Sequence, residues 1–475
     1  MLSMWRDTAA MPEYGRLEGD VRTDVLVIGG GMAGILCAHF LRQAGMDCVL
    51  AEADRLCAGT TGNTTAKITS QHGLVYDGLL RRFGAEKAGM YLHANEAALA
   101  RYRGMCREID CGFEEKDAFV YSLDDRGKLE KELAALEKLG FHAGFTDKLP
   151  LPFPVAGAVR FERQAQFDPL RFAAAAARGL RAYEHTPVRR LEGTSAVTDR
   201  GTIRAQKVIV ATHFPFLNRH GSYFLKMYQH RSYVLALENA ANVGGMYVDE
   251  AAEGLSFRNA QGMLLLGGGS HRTGKQGGGW RELEAFAKRH YPRAHIRYRW
   301  AAQDCMTLDG VPYIGPYSAR TENLYVATGF NKWGMTSSMA AATLLCDMIQ
   351  GRDNPYAGLF SPSRLDPAAL PGILTEGGQA VKSMVKRFFQ IPAEAAKDIP
   401  AGHGGIVFLN GKKAGVYRDE SGALHPVDIR CPHLGCQLEW DPDEKTWDCP
   451  CHGSRFTQEG GLIENPAMRD LELEG

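Results

Sequence analysis

The chain has 475 residues, of which 45% are hydrophobic, and its 55 Lys and Arg residues balance its 55 Asp and Glu residues. This length exceeds what one hydrophobic core supports, so we expect two or three domains. The zero net charge argues against a nucleic-acid partner, because binding to phosphates requires a basic surplus.

The N-terminal residues, M-L-S-M-W-R-D-T, contain no long apolar core and no small-residue cleavage site, which argues against a secretory signal. The longest apolar run, residues 25–41, contains four glycines and a histidine, so a nucleotide-binding turn explains it better than a transmembrane helix. We therefore expect a cytoplasmic protein without a transmembrane segment, whose 11 cysteines are thiols and metal ligands rather than a disulfide scaffold.

The first strong pattern is a strand, a glycine-rich turn and a helix. Residues 24–28 (D-V-L-V-I) predict a buried strand, and a second strand at 47–51 ends at Glu52. Between them, three glycines have the spacing G-x-G-x-x-G, namely Gly29, Gly31 and Gly34. In such a βαβ unit the glycines let the backbone approach a pyrophosphate at the helix N-terminus, and the acid accepts from ribose hydroxyls. The unit predicts a tightly bound dinucleotide.

A small, hydroxyl-rich segment follows, G-T-T-G-N-T-T-A-K at residues 59–67. Here the chain resembles the D-amino-acid-oxidase-like flavoproteins, the group of glycine oxidase and sarcosine oxidase. That family places such a segment beside the flavin ring and the ribityl chain. The resemblance therefore implies that FAD contacts Thr60, Thr61 and Thr65, and a plain loop is the alternative.

Two helices are predicted at residues 85–110 and 128–139. Leucines recur at helical spacing in the second, namely Leu129, Leu133, Leu136 and Leu139, and Gly140 ends the run. This pattern predicts a surface helix with one buried stripe.

Another helix is predicted to begin at Asp168 and Pro169, as the N-cap and first helical residue. Residues 186–189 predict a strand. Within it, Val188 corresponds by resemblance to a valine that contacts adenine.

Residues 220–300 mix short strands with loops and resemble the substrate domain of the same family. The polar candidates there are His230, Arg231, Tyr233, His271 and Arg272. Each residue type is more often structural or exposed than catalytic. In the resemblance, an arginine above the flavin would hold a substrate carboxylate by a two-point contact, and Arg231 and Arg272 are both candidates.

Residues 323–335, N-L-Y-V-A-T-G-F-N-K-W-G-M, are similar to the final FAD motif of the family. The resemblance implies cofactor contacts at Gly329, Trp333, Gly334 and Met335. A helix beginning near Thr336 would direct its N-terminus toward the pyrimidine end of the flavin ring. Lys332 and Trp333 stand where relatives often carry a glycine and a histidine, and Lys332 is a third catalytic candidate.

A proline-containing linker is predicted at 351–400, with a short basic helix at 379–389, and an all-β pattern follows at 401–475. Asn410 and Gly411 lie between two apolar runs and predict a hairpin turn.

The C-terminal region contains the motifs C-P-H-L-G-C and C-P-C-H-G-S. The predicted metal ligands are Cys431 and His433 in the first motif and Cys449 and His452 in the second. Two thiolates and two imidazoles are the ligand set of a Rieske [2Fe–2S] centre, and they also suit a structural zinc ion. The additional cysteines and the glycine turns favour the former.

These motifs resemble the Rieske family in all their parts. The two additional cysteines, Cys436 and Cys451, stand where the high-potential cytochrome-complex type carries a disulfide between its ligand loops. The resemblance implies the same disulfide here.

The expected fold is therefore an α/β FAD-binding domain of the glutathione-reductase-like Rossmann type, an α+β substrate domain and an all-β Rieske domain. The expected boundaries are 1–350 for the oxidoreductase domain, 351–400 for the linker and 401–475 for the Rieske domain. The FAD-binding part would comprise about 22–84, 151–219 and 300–350, and the substrate part about 85–150 and 220–299.

The resemblance implies a dehydrogenase that oxidises a small amine or amino acid by hydride transfer to FAD. Electrons would pass singly to the [2Fe–2S] cluster and on to an unidentified external acceptor. An alternative is an NAD(P)H-dependent reductase that feeds a partner oxygenase, but the glycine runs at 267–271 and 277–280 do not fit a second nucleotide fingerprint. A non-enzymatic electron-transfer subunit is the third interpretation.

Overall fold

The computed structural model describes residues 3–217, 220–364, 396–409 and 412–472. The helices are α1 (Met32–Gln43), α2 (Tyr76–Met105), α3 (Arg126–Lys138), α4 (Pro169–Ala177), α5 (Gly279–His290), α6 (Gly334–Ile349) and α7 (Ala357–Phe360). The strands are β1 (Val21–Ile28), β2 (Cys48–Ala51), β3 (Lys67–Ile68), β4 (Glu114–Ser122), β5 (Gly144–Thr146), β6 (Gly157–Gln166), β7 (Arg181–Tyr183), β8 (Arg190–Glu192), β9 (Ser195–Val197), β10 (Thr202–Val210), β11 (Met227–Glu238), β12 (Met246–Asp249), β13 (Ser256–Ala260), β14 (Met263–Arg272), β15 (His295–Thr307), β16 (Tyr313–Pro316), β17 (Leu324–Thr328), β18 (His403–Leu409), β19 (Lys412–Arg418), β20 (Leu424–Val427), β21 (Glu439–Asp441), β22 (Thr446–Asp448), β23 (Arg455–Thr457) and β24 (Leu462–Glu464).

The first sheet is a mostly parallel sheet with β1 near its centre. Its order is β16-β17-β10-β1-β2-β7, and β8 and β9 form a hairpin beside β10. β1 pairs in parallel with both β10 and β2, and α1 and α6 pack together nearby. The apolar run at the end of β1 is fully buried, as expected for a strand covered on both faces. The predicted α/β dinucleotide-binding architecture is confirmed.

The second sheet is largely antiparallel and has the order β15-β11-β14-β13-β12-β4-β6-β3, with β5 beside β6. Strand β11 lies next to the edge strand β15 and pairs with both β14 and β15. On α3, Leu129 and Leu136 are buried, and Gly140 just beyond the helix has a φ of +71°. The predicted leucine stripe and its glycine stop are confirmed.

The C-terminal region is all-β, as predicted. It contains the antiparallel sheets β18-β19-β20 and β21-β22-β23-β24, with Trp447 buried between the strands. The strands on either side of Asn410 and Gly411 pair with each other, but the turn itself lies outside the described residues. The predicted basic helix at 379–389 also lies outside them.

Several local predictions differ from the structure. Residues 186–189 are an irregular connection rather than a strand, because Pro187 cannot donate to a ladder. The helix predicted near Thr336 begins at Gly334. Asp168 does cap α4, as predicted, by accepting from the backbone N–H groups of the next turn.

All three segments assigned to the FAD-binding part contribute strands to the second sheet. β3 lies within 22–84, β6 within 151–219 and most of β15 within 300–350, yet all three strands belong to that sheet. The proposed domain boundaries stay a prediction. Among the helices of the described residues, none combines the length and apolar character needed to cross a bilayer.

The first part of the predicted linker is packed against the flavin-binding part. Leu359 and Phe360 are buried in its core. The Arg364 guanidinium donates to both carboxylate oxygens of Asp309, at 2.7 and 2.8 Å, and to the carbonyl oxygen of Pro312 at 2.9 Å. The two charged side chains are only 6% and 2% exposed.

We expect Arg364→Leu to destabilise the protein by about 3–5 kcal/mol, because it leaves a buried carboxylate without its cation. Chemical denaturation measures this cost. Arg352→Leu is the matched control, since Arg352 is 57% exposed in its pair with Asp347 and should cost about 0–1 kcal/mol. Equal effects of the two substitutions would contradict the expectation.

Candidate functional site

The turn between β1 and α1 requires glycine at two positions. Gly29 has a φ of +108°, and a Cβ atom there would lie 2.5 Å from the carbonyl oxygen of Ala211. A Cβ atom on Gly34 would lie 1.8 Å from the carbonyl oxygen of Gly29. These glycines therefore let the turn approach β10 and let α1 pack onto the turn.

Glu52 stands beside this turn, just beyond the end of β2. Its carboxylate accepts from the backbone N–H of Gly30 at 2.6 Å and of Asp54 at 2.9 Å. Burial raises the pKa of Glu52, and these two backbone donors oppose the shift. The carboxylate is thus fixed at the edge where a parallel sheet binds ribose.

A cavity of about 1630 Å³ begins at the turn and extends to the C-terminal domain. It exceeds the roughly 300–1,000 Å³ of sites for drug-sized ligands, so a dinucleotide and a small substrate can be accommodated. The predicted cofactor residues that line it are Gly29, Gly31, Glu52, Thr60, Thr61, Thr65, Val188, Gly329, Trp333, Gly334 and Met335. Gly34 does not line the cavity, and its role is to let α1 pack against the turn.

The hydroxyl-rich segment is fixed at the cavity wall by its own threonines. Thr61 Oγ1 accepts from the backbone N–H of Met32 at 2.9 Å, at the start of α1. Thr60 Oγ1 donates to the carbonyl oxygen of Gln303 in β15 at 2.9 Å. The segment therefore connects the start of α1 to β15 of the second sheet. Its predicted contacts with the cofactor stay a prediction.

The half-buried Lys67 lies near the buried Arg258, a proximity that no sequence pattern indicated. Burial, with Arg258 nearby, lowers the pKa of Lys67 to about 7. Lys67 lines the cavity and donates to Thr65 Oγ1 at 3.2 Å, and Arg258 donates to the carbonyl oxygens of Thr65 and Ala66. Within the described residues, neither cation pairs with a carboxylate. The sequence signal that could have identified Lys67 is that it is the one charged residue in the segment 59–67.

Trp333 precedes α6 and stacks on His72, with ring centroids 4.9 Å apart. His72 is held by Tyr91 and Thr336, at 2.6 and 2.9 Å, and burial lowers its pKa to about 3. This neutral stack supports the cavity wall at the N-terminus of α6. No sequence pattern indicates a role for His72.

The two predicted carboxylate-clamp arginines both contact the C-terminal domain. Arg231 is buried, lines the cavity, and pairs with Glu444 and, at 3.7 Å, with Glu464. Arg272 donates to the carbonyl oxygens of Pro450 and Cys451, at 3.2 and 3.0 Å, and does not line the cavity. Their role as a clamp stays a prediction.

Lys332 lies at the cavity with Asp304 and His230. Burial lowers the pKa of Lys332, and the charge of Asp304 opposes the shift. Burial, followed by the charge of Lys332, lowers the pKa of His230 to about 3. The other two candidates, Tyr233 and His271, are hydrogen-bonded to each other at 3.0 Å. Asp304, in β15, was not among the predicted site residues, and no sequence pattern indicated it.

The two predicted ligand loops have the same turn geometry. The Gly435 N–H donates to the carbonyl oxygen of Cys431 at 2.8 Å, and the Gly453 N–H to that of Cys449 at 2.9 Å. Both glycines have positive φ, at +76° and +82°. The repeated turn places the four predicted ligands together, and the rings of His433 and His452 lie 4.9 Å apart.

The donor set fits an iron–sulfur cluster. Cys431 Sγ accepts from the backbone N–H groups of His433 and Leu434, and Cys449 Sγ from those of Cys451 and His452. His452 Nδ1 is buried and has no hydrogen-bond partner among the described residues. Such donors stabilise thiolates, and a buried imidazole nitrogen requires a partner.

A disulfide joins Cys436 and Cys451, as the resemblance implies, and so links the two loops.

The histidine edge of these loops faces the oxidoreductase domain. The ring of His452 lies 5.9 Å from that of Phe224 and 6.4 Å from that of Phe214. Asn465 of the C-terminal domain donates to the carbonyl oxygens of Thr212 and Phe214, at 3.0 and 2.7 Å. The two domains therefore share a polar and aromatic interface.

Comparison with known proteins agrees with this architecture. A family model described as FAD dependent oxidoreductase matches residues 24–348, and one described as Rieske [2Fe-2S] domain matches residues 390–473. A protein of Bacillus subtilis (strain 168) with the name "Putative Rieske 2Fe-2S iron-sulfur protein YhfW" is 38% identical over 491 residues, covering 98% of this chain and 96% of that protein. The predicted cofactors, FAD and a [2Fe–2S] cluster, are those of the two matched domains.

Solved structures share the fold of the flavin-binding part. Glycine oxidase from Geobacillus kaustophilus aligns with a TM-score of 0.62 and 19% identity, over 72% of this chain and 99% of that one. L-proline dehydrogenase from P. horikoshii aligns with a TM-score of 0.61 and 17% identity, over 73% of this chain and 98% of that one.

We expect the affinity of the apoprotein for FAD to fall as the pH rises above about 7, because the charged form of Lys67 favours an anionic cofactor. Bound FAD would raise the lysine pKa, so the affinity is greatest below pH 7. Fluorescence titration across this pH range measures it. Lys67→Met should remove the pH dependence, whereas the exposed control Lys138→Met should retain it. An unchanged profile in Lys67→Met would refute this role.

We expect Cys431→Ala to lose the cluster and retain FAD. His433→Cys should keep a [2Fe–2S] cluster of lower potential, because histidine in place of thiolate holds Rieske centres at about −150 to +300 mV. Iron analysis and EPR-monitored redox titration measure both effects. Cys48→Ala, a buried thiol in β2, is the matched control and should keep the cluster. Stoichiometric zinc in the parent protein would contradict the assignment.

Proposed function

Because the chain belongs to the FAD dependent oxidoreductase family and carries a C-terminal Rieske domain, we propose that it is a dehydrogenase for a small amine or amino acid, with an external electron acceptor. When bound, FAD would supply hydride acceptance and the cluster one-electron transfer. The names of two solved relatives, glycine oxidase and L-proline dehydrogenase, support an amino-acid substrate. A cytoplasmic location stays a prediction.

The observation that carries the proposal is the shared boundary of the two sites. One cavity is lined both by the dinucleotide turn at Gly29 and by Glu444 and Glu464 of the Rieske domain. The ring of His452 contacts the flavin domain at Phe214 and Phe224. This proximity supports a relay within one chain rather than a flavin oxidase with an unrelated appended domain.

Lys332 is our candidate for holding the substrate. Arg231 and Arg272 both contact the Rieske domain, whereas no contact joins Lys332 to the described residues of that domain. It lines the cavity with Asp304, whose carboxyl group has a pKa raised by burial and lowered in part by Lys332. We propose that the ammonium orients a substrate carboxylate, since a charge-assisted hydrogen bond both attracts and positions an anion.

The glycines at 277–279 do not offer a second nucleotide site. Gly277 and Gly278 precede α5 and Gly279 is its first residue, but a Cβ atom on Gly279 would lie 2.0 Å from a carboxylate oxygen of Asp443 in the Rieske domain. An acidic side chain at this helix N-terminus opposes binding of a phosphate. The geometry therefore favours an organic donor over NAD(P)H.

The test is an anaerobic panel of amines, amino acids and NAD(P)H, in which flavin bleaching and the reduced-state EPR signal of the cluster are followed. We expect an amino acid or amine to bleach the flavin and to produce a Rieske-type signal. Lys332→Met should lower kcat/KM for a carboxylated substrate by about ten- to a hundredfold, the cost of one charge-assisted hydrogen bond. The exposed control Lys138→Met should leave it unchanged.

Three outcomes would contradict the proposal. Faster bleaching by NAD(P)H than by any amine would favour the reductase. A flavin that no organic donor reduces would favour an electron-transfer subunit. A cluster that stays oxidised beside fully reduced flavin would exclude the relay.

A further inference from the structure

Two buried glutamines connect the second sheet of the oxidoreductase domain to the ligand loop of the Rieske domain. Gln229 in β11 and Gln303 in β15 are each 1% exposed and lie on paired strands. Their carboxamides are hydrogen-bonded to each other, since Gln303 Nε2 donates to Gln229 Oε1 at 2.8 Å. They form one unit, which we call the glutamine pair.

On the cluster side, the glutamine pair binds the backbone of the ligand loop itself. Gln229 Nε2 donates to the carbonyl oxygen of His452 at 2.8 Å and to that of Asn465 at 3.0 Å. Gln303 Nε2 also donates to the carbonyl oxygen of Gly453 at 2.9 Å. Each amide nitrogen has two hydrogens, so both donors are fully used.

On the flavin side, the glutamine pair is bound to the cavity wall. Thr60, which lines the cavity, donates through Oγ1 to the carbonyl oxygen of Gln303 at 2.9 Å. Thr273 Oγ1 donates to Gln303 Oε1 at 2.8 Å. A continuous series of covalent and hydrogen bonds therefore runs from the cavity wall to a predicted cluster ligand.

The ligand loop is shaped to receive the glutamine pair. A Cβ atom on Gly453 would lie 2.6 Å from Cβ of Gln229, so only glycine permits this approach. The positive φ of Gly453 serves the turn, and its missing side chain serves the interface. A buried polar network in which every donor is satisfied holds one geometry.

We propose that the glutamine pair is the positioning bridge through which electrons pass from the flavin to the His452-ligated iron. In each of two transfers the flavin would lose one electron, and one ferric ion of the cluster would become ferrous. An external one-electron acceptor would reoxidise the cluster after each transfer, and the single proton of the anionic reduced flavin would pass to water as the flavin returns to its oxidised form. Electronic coupling decays less steeply along bonds than across gaps, so a fixed bonded route favours rapid transfer. The inference rests on the proposed relay.

The experiment uses the full chain with both cofactors and no organic substrate. Anaerobic photoreduction with 5-deazariboflavin and EDTA reduces the flavin, and rapid absorbance with freeze-quench EPR follows reduction of the cluster. We expect Gln229→Met and Gln303→Met to slow this transfer by about ten- to a hundredfold, the usual effect of losing an outer-shell partner of a metal ligand. The EPR g-values and the cluster midpoint potential should not change.

Asn465→Ala is the matched control for docking. It removes two hydrogen bonds across the same interface, to the carbonyl oxygens of Thr212 and Phe214, without a side-chain contact to the ligand loop. We expect it to transfer electrons at the parent rate. If Gln229→Met fails to incorporate the cluster, Gln303→Met still tests the bridge, because it leaves the contact between Gln229 and His452 in place.

The bridge would be refuted if both glutamine variants kept the parent rate, or if Asn465→Ala slowed transfer as much as they do. A shift in cluster potential large enough to explain the slower rate would also refute it. Failure of the proposed function is distinguishable, because a flavin that no substrate reduces would still pass photochemical electrons across the bridge.

Discussion

The structure depends on the pairing of buried charges across the boundary between the two domains. Arg231 comes from the flavin domain, whereas Glu444, Glu464 and Arg455 come from the Rieske domain. Burial acts to raise the pKa of Glu444, but the two arginines hold it at about 2. Because an unpaired buried charge costs several kcal/mol, each domain supplies charges that the other requires. The docked arrangement is thus part of the fold.

This constraint changes the chemistry of the cavity. Arg231 lies in β11 of the second sheet, where a carboxylate clamp was expected. Its charge is instead balanced by Glu444 and Glu464 of the Rieske domain. Lys67 on the cofactor side and Lys332 near the substrate side also line the cavity. The Rieske domain therefore forms one wall of the cavity and influences which charges a ligand meets there.

Some features follow from local sequence alone. The spacing of Gly29, Gly31 and Gly34, with Glu52 after the next strand, predicted the dinucleotide turn, because backbone sterics and strand alternation act over a few residues. The motifs at Cys431 and Cys449 predicted two matching loops for the same reason, and resemblance supplied the disulfide between them. The prediction of a strand at 186–189 was wrong, because Pro187 has no N–H group to donate to a sheet.

Other features were decided only by the tertiary structure. Gln229 and Gln303 carry no sequence pattern, and their partners His452 and Gly453 lie 223 and 150 residues away in the chain. The ion pair between Arg231 and Glu444 spans 213 residues. Such contacts depend on the register of β11 against β15 and on where the Rieske domain docks. Sequence thus determined the types of site, because local spacing sets backbone geometry, whereas the docking of the Rieske domain against β11 and β15 determined which side chains connect the sites.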